Sequence, residues 1–71
     1  MMKEITASMA GTVLNVFAAA GDQVNSGQEV LMLESMKMEI PIESGVEGVV
    51  KEVKVSIGDF VNEGDVLLVL V

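Results

Sequence analysis

The chain contains one pattern twice. Shifted by 37 positions and laid on itself, residues 10–34 align with residues 47–71 without a gap. Ten of these 25 positions are identical: Gly11/Gly48, Val13/Val50, Val16/Val53, Gly21/Gly58, Asp22/Asp59, Val24/Val61, Asn25/Asn62, Gly27/Gly64, Leu31/Leu68 and Leu33/Leu70. Unrelated segments of ordinary composition would share roughly one or two. Self-similarity of this kind marks a single supersecondary unit used twice. At 71 residues the chain has room for one small domain, spanning 1–71.

Each half follows the same local grammar. Thr12–Ala18 and Val49–Val55 are rich in β-branched residues and read as strands. Gly21-Asp22 and Gly58-Asp59 follow as turns, because glycine tolerates positive φ and aspartate can bond nearby amides. A very short strand comes next, at Val24 or Phe60-Val61, and then a second turn at Asn25-Ser26-Gly27 or Asn62-Glu63-Gly64. Val30–Leu33 and Val66–Val71 close the halves, while Lys3–Ser8 and Met38–Glu43 lead them. Pro41 confines the strand that holds it to an edge or a bulge. No stretch has a helical period, and Ala18-Ala19-Ala20 runs straight into Gly21. The expectation is all-β: eight strands in two antiparallel sheets related by a pseudo-twofold axis. Valines 13 and 16 are an odd number of positions apart, so strict alternation cannot bury both, and a bulge or bend is expected there. Lys51 and Lys54 must reach solvent from the matching strand.

Composition removes most chemistries. There is no cysteine and no histidine, which excludes disulfides, thiolate or imidazole metal ligands, Cys nucleophiles and Ser-His-Asp catalysis. Eleven acids against four bases give a net charge of -7, opposed to phosphate binding, and two phenylalanines offer no stacking platform for nucleic acid. An apolar content of 51% is that of a folded protein. The longest apolar run, Val66–Val71, is far shorter than the ~20 residues that cross a bilayer. Met1–Thr6 carries an early acid with no apolar stretch behind it, so no signal peptide is expected and the cytoplasm is the expected compartment.

The halves are joined by Glu34-Ser35-Met36-Lys37-Met38-Glu39, which should form a hairpin with Met36 and Lys37 at its tip. Tip side chains are accessible to other proteins. A lysine at such a place is usually a solubilising charge, Glu34 and Glu39 read equally well as solvated strand-end charges, and methionines usually fill core gaps. Two methionines beside a tip cannot both be core, however. Lys37 is the one lysine on a tight turn between the repeats.

Ser35-Met36-Lys37-Met38, within Glu34–Ile40, resembles the biotin-attachment motif of the biotinyl domain family, where lysine stands between two methionines. The likeness extends over essentially the whole chain, including the mirrored Gly-Asp and Asn-x-Gly turns. It implies a flattened eight-stranded barrel-sandwich hybrid with the modified lysine on the hairpin between strands four and five. Ser35 stands where the family often has alanine. The gapless repeat leaves no room for the protruding "thumb" of many bacterial acetyl-CoA carboxylase carriers, so the chain resembles the thumbless branch.

The resemblance implies a carrier and no enzyme of its own. A biotin protein ligase would acylate Lys37, with Met36, Met38, Glu34 and Ser35 as the recognition turn. Amines in water are almost wholly protonated at neutral pH, so the base must come from the ligase. A biotin carboxylase and a carboxyltransferase would then use the biotin in turn. Lipoyl domains of the related branch usually have Asp before the lysine and Ala after it, and Met36 and Met38 depart from that pattern. Lipoate, or both cofactors, remains the alternative; an unmodified structural adaptor of the same fold, as in membrane-fusion proteins, is another.

Overall fold

The structure, a computed structural model, describes residues 2–71, so Met1 of the expected 1–71 domain lies outside the described residues. Eight strands follow one another: β1 (Lys3–Thr6), β2 (Gly11–Val16), β3 (Gln23–Val24), β4 (Glu29–Ser35), β5 (Met38–Glu43), β6 (Gly48–Val53), β7 (Phe60–Val61) and β8 (Val66–Leu70). Among the described residues no helix forms, and none is long and apolar enough to cross a membrane. The fold is the expected all-β one. Several strands end earlier than their composition suggests: β1 stops at Thr6, β2 at Val16 and β6 at Val53, which leaves Lys54 just beyond its strand.

The strands form two antiparallel sheets, β1-β8-β6-β3 and β5-β4-β2-β7. Adding four to each label of the first order, cyclically, gives the second, which is the twofold in topological form. Each sheet takes two strands from either half, so the halves interleave and neither forms a sheet by itself. Pro41 lies on β5, an edge strand, where its missing N–H leaves no gap in an interior ladder.

The symmetry reaches the core. Buried Ile5, Val13, Val24, Val30, Leu31 and Leu33 have buried partners 37 positions on in Ile42, Val50, Val61, Leu67, Leu68 and Leu70. All are aliphatic, and burying each contributes roughly 1.5–3 kcal/mol. The chain's two aromatic side chains both stay outside: Phe17 is 48% and Phe60 65% exposed.

Backbone geometry repeats as well. The β2–β4 register slips between Val13 and Asn15, and the β6–β8 register slips between Val50 and Glu52. These are the bulges that the odd spacing of the valines requires. Lys51, within the second of them, and Lys54, beyond it, are exposed. In the Gly-Asp turns, Asp22 accepts from the Ala19 amide at 2.9 Å and Asp59 from the Ser56 amide at 2.8 Å. Each turn also donates across the molecule, Gly21 N–H to the Val50 carbonyl and Gly58 N–H to the Val13 carbonyl, both at 2.8 Å. The two turns therefore clamp each half to the bulged strand of the other. Gly11 serves a different need: a Cβ built there would lie 2.7 Å from the Glu34 carbonyl oxygen, so only glycine lets β2 pass the end of β4.

Candidate functional site

Strands β4 and β5 pair in register from Leu31↔Ile42 to Ser35↔Met38, and only Met36 and Lys37 lie between them. A two-residue connection suits the twist of a hairpin best as a type I′ turn, which needs positive φ at both central residues. Met36 has φ 52° and Lys37 φ 65°. Turns of this type are dominated by Asn and Gly because left-handed backbone costs other residues about 1–2 kcal/mol each. The sequence Met-Lys gives no hint of that conformation; the length of the connection imposes it.

The tip residues stand in water. Met36 is 88% and Met38 60% exposed, and Lys37 is exposed between them. The methionines are thus not core filler. Ser35, expected in the turn, is the last residue of β4 and half-buried opposite Met38. Glu34 and Glu39 are exposed and directly opposed across the hairpin. Like charges in facing positions weaken a ladder, so their placement does not stabilise the hairpin.

The four lysines separate cleanly by what they touch. Lys3 Nζ donates to the Glu47 carbonyl at 2.8 Å, Lys51 Nζ to the Met2 sulfur at 3.2 Å, and Lys54 lies 3.1 Å from a Glu52 carboxylate oxygen. Lys37 has no hydrogen-bond or ion-pair partner among the described residues. It also joins two acidic strands: β4 and β5 carry Glu29, Glu34, Glu39 and Glu43 and no cation. Lys3 and Lys51 belong to the other sheet, with Lys54 next to it.

A well-defined surface depression lies elsewhere. It is shallow, lies on the outer face of the β1-β8-β6-β3 sheet and is lined by Met2, Glu4, Lys51 and Lys54 among others. It contains no group of the tip. A site made of one exposed amine on a two-residue turn cannot enclose a substrate. It can offer the amine to an enclosing enzyme, or hold a group outward once one is attached.

Comparison with known proteins gives four concordant findings. A family model described as "Biotin-requiring enzyme" matches residues 3–70. The chain is 61% identical over 66 residues to the Biotin/lipoyl attachment protein of Bacillus subtilis, covering 93% of this chain and 90% of that protein. It is 44% identical over 64 residues to the Biotin carboxyl carrier protein of Streptococcus mutans, covering 90% of this chain and 49% of that one. Among solved structures, the urea carboxylase of Kluyveromyces lactis superposes with a TM-score of 0.91 at 30% identity, over all of this chain and 6% of that one.

Proposed function

Because the chain belongs to the biotin/lipoyl family and is homologous to biotin carboxyl carrier domains of carboxylases, we propose that Lys37 carries covalently attached biotin. Residues 1–71 act on this reading as a single carrier domain. The observation that carries the assignment is the Lys37 amine itself: exposed, unpartnered among the described residues, and raised on a two-residue turn whose conformation its own side chain does not favour.

The chemistry asked of the chain is small. The Lys37 Nζ, deprotonated by a base of the biotin protein ligase, attacks the acyl carbon of an acyl-adenylate. The C–N bond of an amide forms, the acyl–phosphate bond breaks, and the adenylate leaves with the bonding electrons. The fit is chemical: an amine with no internal acceptor loses no native contact when it becomes an amide. Bound biotin would supply a ureido nitrogen that takes a carboxyl group at a biotin carboxylase and yields it at a carboxyltransferase.

Everything else falls to the scaffold. Ladders on both sides of Met36–Lys37 hold the turn still, so only the side-chain arm moves, and the attached group stays at high effective concentration near its partner enzymes. Met36 and Met38 offer apolar, adaptable contacts to whichever enzyme covers the tip, and Ser35 with Glu34 completes the surface it meets. The same reading assigns the carrier to the cytoplasm with those enzymes. Intact mass after co-expression with a biotin protein ligase tests it, with a lipoate ligase in a parallel culture. Addition of one biotin, lost in Lys37→Arg, is the expected result; addition of lipoate alone would replace biotin with the alternative cofactor, and no addition in either culture would overturn the carrier reading.

A further inference from the structure

We infer that Ile57 and Phe60 form a second contact for the enzyme that acylates Lys37, with the Phe60 ring as its anchor; this rests on the reading of Lys37 given above. The molecule contains its own control for these two side chains. The turn that leads into β7 and the turn that leads into β3 are the same object: Gly58 and Gly21 have φ 96° and 95°, and their aspartates and amides make matching hydrogen bonds. At the positions of Ile57 and Phe60, 37 residues earlier, the first half has Ala20 and Gln23. The fold therefore builds this turn without either large apolar group. Both are nevertheless 65% exposed in the second half.

Their position ties them to the tip. Thr12 pairs with Phe60 on one side and with Glu34 on the other, and Glu34 pairs with Glu39. Phe60, Thr12, Glu34 and Glu39 thus make one row across the sheet that bears the hairpin. At about 4.8 Å per strand, Phe60 is about 10 Å from Glu34 and about 12 Å from the turn. A standard protein contact covers about 800 Å² per partner, a patch roughly 30 Å across. A footprint centred on Lys37 includes the ring.

Reach decides which enzyme sits there. The lysine amine extends only about 6 Å from its backbone, from ordinary bond lengths. An enzyme that acylates it must press against the tip and the sheet face beside it. Enzymes acting later on the far end of the longer, modified arm can stand further off. The fitting surface is an apolar pocket for the ring, rimmed by basic groups that face Glu34 and Glu39.

The test compares Ile57→Ala/Phe60→Gln, which installs the first-half residues, with the reciprocal Ala20→Ile/Gln23→Phe. Each is incubated with purified biotin protein ligase, biotin and ATP, and modification is followed by intact mass. The expected result is a kcat/KM about tenfold lower for the first pair, through KM, and unchanged for the reciprocal pair, with both melting near the wild type. Phe60→Gln alone decides the matter if the double variant melts early. Wild-type kcat/KM in the first pair, a loss confined to kcat, or an equal loss in the reciprocal pair overturns the inference. A wild-type chain that takes up no biotin, or takes it up after Lys37→Arg, overturns the function proposed above instead.

Discussion

Six described residues have left-handed backbone, and they divide into two kinds. Gly21, Gly27, Gly58 and Gly64 make four turns whose side-chain positions are empty; a Cβ at any of them would meet nothing within 4 Å. Met36 and Lys37 make the fifth turn with two long side chains, at a cost of about 1–2 kcal/mol each. The same few residues add an opposed pair of glutamates and two exposed methionines. Where only chain direction matters, the fold uses glycine. Where it accepts strain, like-charge repulsion and wet apolar surface together, the side chains are retained for something other than stability.

Substitutions that exchange the properties of the two kinds of turn sharpen this contrast. The largest effect is expected from Lys37→Arg, which should abolish biotin addition by intact mass while leaving the melting temperature where it is, since a solvated tip charge adds little to stability. Gly58→Val puts a β-branched residue at φ 96°. It should destabilise by about 2 kcal/mol, lowering the melting temperature by about 10 °C in calorimetry. Met36→Asn works in the opposite direction. Asparagine suits the first central position of a type I′ turn, so melting should rise by about 3–6 °C while biotin addition slows. A fall in melting temperature would show that Met36 is at ease there. The smallest effect concerns the acids around the tip: raising salt from roughly 0.05 to 0.5 M should lower ligase kcat/KM about two- to threefold. An unchanged value would remove any steering role from Glu34 and Glu39.

Much of this was legible in the residues. The offset of 37 fixed eight strands and their order of recurrence, and the odd spacing of Val13 and Val16 pointed to the slip seen between Val13 and Asn15. The join between the repeats pointed to Lys37 and its exposed methionines. Interleaving of the halves was not legible, because a repeat reveals a symmetry operation but not which copy supplies each neighbour. Nor was the left-handed turn, since Met36-Lys37 has none of the residues that ordinarily announce one. Gln28 shows a third limit. It accepts from the Asn25 amide at 3.0 Å, as Asp65 does from Asn62 at 2.8 Å, so one role is filled by two residue types that no identity count would match. The exposure of Phe60 was not legible either, because the face that a residue of a two-residue strand presents depends on the sheet it joins.

Leaving both rings outside the core has an optical consequence. With no tryptophan or tyrosine, the chain is nearly transparent in the near ultraviolet, and its interior holds no aromatic probe. What near-ultraviolet ellipticity and aromatic ring-proton resonances remain come from two surface phenyl groups. Loosening of the aliphatic centre would pass unseen in those signals, whereas an enzyme settling over residue 60 would perturb one ring and leave its sibling at residue 17 as the built-in reference.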